Sequence, residues 1–255
     1  MALSARFALR SLLVVQLGVA AILLGQDFAK IAPTIRLPTF VPSPDTPIQP
    51  GDQTRRFDPR TLPRRLDLPP GTPVPAVDVP ARLFFEDQGE GLVLVTGRIQ
   101  PGDAERFADW LEDQEPQPET FRFHSPGGSV DDALAIGRRI REGGFATEMG
   151  ETSVCLSACP YMLMAGTERR VDHGAMVGVH QHYYGENTLL PAFLAVEDIQ
   201  QSQAQVVLYL DEMGIDLLVM QHALGTPPDQ IYLLVAKELT DYGIATEMTG
   251  QPKDS

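Results

Sequence analysis

Downstream of residue 81 the spacing of hydrophobic positions changes repeatedly, and each change marks an element. LVLVTGRI (Leu92–Ile99) is an apolar, β-branched run that predicts a buried strand. In DAERFADWLED, Asp103 can cap a helix whose Phe107, Trp110 and Leu111 share one face. TFRFHS (Thr120–Ser125) alternates as a second strand and runs into Pro126, Gly127 and Gly128. SVDDALAIGRRIREGG opens with the capping Ser129 and closes on Gly143 and Gly144, the signature of a complete helix. A third short strand, FATEMG, precedes SVCLSACPYMLMAG, a turn leading into an apolar helix. AMVGVHQHYY (Ala175–Tyr184) reads as a further strand and Val196–Gly214 as a long helix. Strands alternating with helices imply a mostly parallel sheet with crossover helices, an α/β fold.

Upstream the periodicity disappears. Of the 22 prolines, 13 fall between Pro33 and Pro80, too dense for helices or sheet ladders, so residues 29–80 are expected to be a disordered or extended Pro-rich linker. Its Arg-rich stretch TRRFDPRTLPRRL reads as solvated tether, with contact to anionic lipid headgroups as the alternative. Ahead of it, Arg6 and Arg10 precede an uncharged apolar run of 15 residues, Ser11–Gly25. That length suits a signal-peptide core better than a span of about 20 residues. No convincing small-x-small cleavage site follows, and a snorkelling Arg10 would let Phe7–Leu9 join the run. Residues 1–28 are therefore expected to be an uncleaved transmembrane signal anchor or a cleaved signal. In either case the N-terminal positive charge sends the rest across the membrane, anchored on the periplasmic side or released into the periplasm. The folded domain is expected over residues 81–248 and a disordered tail over 249–255.

Charge divides at the same boundary. Residues 1–80 carry nine Lys/Arg against six Asp, which leaves 11 basic and 28 acidic residues downstream, a net of −17 within a total of −14. So acidic a domain repels phosphate backbones, which excludes nucleic acid as a partner.

Candidate chemistry gathers at three places. In FHSPGGSV a strand ends in Pro-Gly-Gly and opens a helix, presenting free N–H groups that a ligand can approach without meeting a Cβ. Ser157, in SVCLSACPYML, sits among small and apolar neighbours where a strand passes into a helix; it is either a helix cap or a nucleophile whose oxyanion meets the N–H of Ala158. A nucleophile needs a base, and His180 closes an apolar strand, with His182 in reserve on the same strand face. His124, His173 and His222 lie in poorer contexts, and the His-x-His pair lacks a third ligand, so neither metal nor other cofactor is expected.

LVTGRI, FRFHSPGGSVDDALAIG, MGETSVCLSACPYMLMAG, VGVHQ and LTDYGIAT, in that order, resemble successive blocks of the Clp protease proteolytic subunit over about Leu92–Thr246. The chain looks still closer to an exported Clp-like group with a Cys-x-Ser-Ala-Cys segment. The resemblance implies a Clp/crotonase-type spiral of ββα units, with Ser157 as nucleophile, His180 as base and the N–H groups of Gly128 and Ala158 as oxyanion hole. It assigns Gly127 and Ser129 to substrate binding. The third triad member departs from the pattern: counting back from Tyr242 reaches Ile231, and Asp229, two residues away, is the candidate acid, with a dyad as the alternative. A related branch uses a lysine base, yet Lys30, Lys237 and Lys253 all lie where that branch has no use for one.

Cys155 and Cys159 flank the nucleophile and are either a disulfide or two buried thiols. By the same resemblance, helix 196–214, with Ile199, Val206, Val207 and Leu210 as its apolar stripe, corresponds to the handle that joins rings; core packing is its other role. The expected function is an ATP-independent serine peptidase acting on polypeptides outside the cytoplasm, without an ATPase partner. An acyl-CoA enzyme of the crotonase type and a catalytically silent scaffold are the alternatives.

Overall fold

The computed structural model describes residues 13–20, 22, 53–58, 61–63, 76–182 and 192–251. The chain divides into two units, Met1–Val41 and Pro42–Ser255.

In the first unit, helix α1 is described over residues 13–20, its apolar side chains exposed. Among the described residues no helix is long and apolar enough to cross a membrane, which corrects the expectation of a transmembrane anchor. The rest of residues 1–28, where a cleavage site would fall, lies outside the described residues.

The second unit is α/β. Its larger sheet has six strands in the order β12-β9-β7-β6-β5-β4. These are β4 (Phe84–Asp87), β5 (Leu92–Thr96), β6 (Thr120–His124), β7 (Ala146–Met149), β9 (Arg169–Asp172) and β12 (Glu247–Thr249). Only the β4–β5 pair is antiparallel. The smaller sheet, β1-β11-β10-β8, comprises Thr54–Arg56, Gln230–Leu233, Met176–Val179 and Val154–Leu156 respectively, with β8 and β10 parallel. A bridge between Ser125 and Cys155 joins the end of β6 to β8, so the two sheets meet at that point. Strands β2 (Thr61–Pro63) and β3 (Ala76–Asp78) pair with each other.

The crossovers are helices α2 (Asp103–Glu112), α3 (Val130–Glu142) and α4 (Cys159–Met164), followed by α5 (Ala192–Glu212), α6 (Val219–Gly225) and α7 (Ala236–Asp241). The alternation expected of β6 buries Phe121 and Phe123, while β5, expected as a continuously buried run, alternates too, with Val93 and Val95 inside. Phe107 meets Phe85 and Phe121 in an aromatic cluster that Trp110 and Phe145 extend. Asp103 lies inside the first turn of α2, after Gly102 in the left-handed region, and is not its cap. Its fully buried carboxylate accepts hydrogen bonds from Gln100 N–H at 2.8 Å, Arg82 at 2.6 Å and Arg106 at 2.7 Å. Burial pushes its pKa up, but these bonds outweigh burial and hold it below the ordinary value.

The fold departs from expectation in three respects. β1 lies inside the stretch assigned to an extended linker, yet it pairs antiparallel with β11, so the sheet begins well before residue 81. The strand through His180 ends at Val179 instead of running on to Tyr184. Helix α5 places Val206, Tyr209 and Leu210 in the core, the Tyr209 hydroxyl donating to the Tyr161 carbonyl at 2.6 Å, while Val207 and Leu208 face outward.

Candidate active site

The turn that carries Ser157, the expected nucleophile, is built by the smaller sheet. Ser125 brackets β8, its N–H donating to Val154 O at 2.7 Å and its carbonyl accepting Leu156 N–H at 3.0 Å. The next residue, Ser157, has φ 61°, in the left-handed region that a non-glycine residue enters only under constraint from its surroundings. Two constraints are visible. Ser157 N–H donates to Gly178 O at 3.0 Å, and a Cys155–Cys159 disulfide, Cα atoms 5.2 Å apart, closes around the serine. Both cysteines are fully buried, so of the two expected states the bridge is the one adopted.

β10 carries the chain past Gly178 and Val179 to His180, whose Nε2 lies 2.7 Å from Ser157 Oγ. For the ring to accept the serine proton at Nε2, its own proton must sit on Nδ1. That nitrogen is buried and forms no hydrogen bond. Burial drives the His180 pKa down to about 4, with help from neighbouring His182; the Pro228 backbone acts in the opposite direction without aligning as a hydrogen-bond partner. Asp229, the candidate third member, is exposed and leaves Nδ1 unpartnered. Its carbonyl instead accepts the Phe57 N–H. Ser157 and His180 thus form a pair to which Asp229 adds no third member.

The Pro-Gly-Gly turn lies directly against the serine. A Cβ on Gly127 (φ 89°) would stand 2.4 Å from Leu156 O and 2.7 Å from both Ala158 N and Ser157 Cβ. One on Gly128 (φ 147°) would stand 2.0 Å from Ile99 O. Ile99 zips onto the turn, donating to Gly127 O and accepting from Ser129 N–H, which leaves the Gly128 N–H outside the ladder. Among the described residues neither Gly128 N–H nor Ala158 N–H is used in a backbone hydrogen bond, so both can receive a developing oxyanion. Ser129, expected to touch substrate, also begins α3. Its hydroxyl caps α3, accepting from Asp132 N–H at 3.4 Å and donating to Asp132 Oδ2 at 2.5 Å.

Three of the other histidines are engaged elsewhere. His182 Nε2 lies 2.9 Å from the Tyr161 hydroxyl, His124 Nδ1 accepts Val154 N–H at 3.3 Å, and His222 stacks on Tyr232 and meets the Tyr242 hydroxyl at 2.8 Å. Among the described residues no cluster of three or more His, Cys, Asp or Glu side chains could hold a metal ion. Lys237 pairs with Asp241 on the surface, and Lys30 and Lys253 lie outside the described residues. Beside His180 opens a cavity of about 560 Å³ with Ile199, Met220, Ala223, Leu224 and Pro228 in its wall. Sequence reasoning missed Ser125, Gly178 and Phe57. The first two act through their main chain, and Phe57 comes from the proline-rich stretch; none carries a local signal.

No family model and no curated protein matches the chain, so the comparisons lend no support to a protease or hydrolase assignment. The site's own geometry is what remains.

Proposed function

We propose that this chain is a serine hydrolase, a peptidase working without ATP, built on the ββα spiral of the Clp/crotonase superfamily. The observation that carries the proposal is the 2.7 Å approach of His180 Nε2 to a positive-φ serine flanked by two uncommitted amides. Ser157 Oγ attacks the carbonyl carbon while its proton passes to His180 Nε2, and the oxyanion is received by Gly128 and Ala158 N–H. As the C–N bond breaks, His180 returns that proton to the leaving amine. Water, deprotonated by the same nitrogen, then hydrolyses the acyl-serine to an acid and restores Ser157. The mostly apolar cavity beside His180 suits an apolar side chain of an extended polypeptide. A disulfide across the nucleophile turn fits a compartment outside the reducing cytoplasm.

A fluorophosphonate probe tests the proposal: the label should map to Ser157 and vanish in Ser157→Ala and His180→Ala. The Ser–His contact disfavours a crotonase-type acyl-CoA enzyme, which needs no such pair. One observation favours a silent scaffold, the unpartnered Nδ1 of His180, and absence of any label would decide for it.

A further inference from the structure

We propose that Phe57, delivered by strand β1, is the positioning residue of His180, holding the imidazole toward Ser157 by an edge-to-face ring contact in place of a carboxylate. The inference rests on the serine hydrolase proposed above. In a triad the third group restrains the ring through Nδ1. Here Nδ1 is buried and the Pro228 backbone acts on the ring without aligning as a hydrogen-bond partner, so packing supplies the restraint. The Phe57 ring supplies it, its centroid 4.9 Å from that of His180 and the planes inclined at 62°.

Phe57 is itself held on both sides. The β1 register sets Thr54 opposite Tyr232, Arg55 opposite Ile231 and Arg56 opposite Gln230. Hydrogen bonds continue beyond the ladder at both ends, Leu233 N–H donating to Gln53 O at 2.9 Å and Phe57 N–H to Asp229 O at 3.1 Å. The ring packs against the apolar cluster of Val154, Leu156, Met176, Ile231 and Leu233, in which Leu156 adjoins the nucleophile. One aromatic side chain from the proline-rich stretch therefore touches the base and the core under the serine together. Its cover also contributes to the burial that keeps His180 neutral. The ionisable groups around the base are His182 on its own segment, Tyr161 of α4 bonded to His182, Asp131 of α3 acting on His182, Asp58 beside Phe57, and the exposed Asp229. None of them supplies a hydrogen bond to Nδ1.

The test uses the full chain and two readouts, an NMR titration of the His180 ring and the rate of fluorophosphonate labelling at Ser157 across pH. Wild type and Phe57→Tyr should share a His180 midpoint of about 4 and similar labelling rates. Phe57→Ala should raise the midpoint toward about 6.5 and slow labelling at neutral pH about tenfold or more. Phe57→Leu keeps an apolar cover but no ring edge, so its midpoint should stay low while its labelling slows. Wild-type labelling by both Ala and Leu variants, with the titration unmoved, overturns the proposal. If circular dichroism shows Phe57→Ala unfolded, the Leu and Tyr variants decide: equal labelling by the two overturns it. A wild-type chain that takes no label sinks the hydrolase but not the contact, which the titration then decides alone, an unmoved midpoint in Phe57→Ala overturning it.

Discussion

The carbonyl of Gly178 accepts the N–H of Ser157 at 3.0 Å, so the strand that delivers His180 also fixes the backbone of Ser157. Base and serine thus share one rigid ladder, and their 2.7 Å separation follows from the β8–β10 register. Removing either side chain should leave that ladder intact. We expect Ser157→Ala and His180→Ala each to lower kcat/KM on a peptide or ester by about 10⁴-fold, with unchanged circular dichroism and a double variant no worse than the singles. Additive losses would show that the two do not act as a unit.

The glycine turn can be probed by single methyl groups. Ala at Gly128 collides with Ile99 O and at Gly127 with Leu156 O, backbone atoms that cannot step aside cheaply. Each variant should lose about 10²–10³-fold in turnover through a displaced amide. The strained conformation should also cost about 1–3 kcal/mol of stability in urea unfolding. Ala at Gly144, where a Cβ meets nothing within 4 Å, shares the backbone strain but not the collision, and should retain activity.

Burial of His180 sets the pH profile. The ring must be neutral to accept the serine proton, and its pKa is depressed to about 4. Activity should rise as pH climbs through about 4 and stay level across neutrality, where an ordinary histidine would place the acid limb near about 6.5. Rates of probe labelling between pH 3 and 9 check this, and a limb near the ordinary value would mean that the imidazole is open to water.

Reduction of the disulfide should loosen the nucleophile turn. A bridge across so short a loop contributes about 2 kcal/mol on chain-entropy grounds. Because both sulfurs are buried, dithiothreitol should act slowly in the native state and quickly in mild denaturant. Cys155→Ser with Cys159→Ser should melt earlier and label Ser157 more slowly, since the φ of 61° loses one of its two restraints. Labelling at the wild-type rate would assign that restraint to Gly178 alone.

Asp103 ties α2 to the segment before β4 through a carboxylate whose pKa is lowered on folding. A depressed acid stabilises the fold above its unfolded pKa, and that contribution is lost as pH falls through the folded value. Asp103→Asn should therefore destabilise by about 1–3 kcal/mol at neutral pH, a gap that closes in strong acid. Urea melts at pH 7 and pH 3 would detect it; a gap that widens on acidification would contradict the lowered pKa.

The sequence by itself determined the alternation of elements, the burial of Val93, Val95, Phe121 and Phe123, and the short list containing Ser157, His180, Gly128 and Ala158. Those features follow from local period, capping and turn chemistry, which are written in neighbouring residues. Tertiary structure alone decided that Asp229 is exposed, that His180 Nδ1 stays unpartnered, and that His182 bonds to Tyr161 instead of serving the serine. It alone brought Phe57 out of a proline-rich stretch and onto the His180 ring. Prolines around Thr54–Arg56 mask the strand signal, and a strand at a sheet edge is specified by the exposed ladder of its partner β11 as much as by its own residues. Pairing across more than 170 residues of chain is a property of the folded sheet and leaves no period to read.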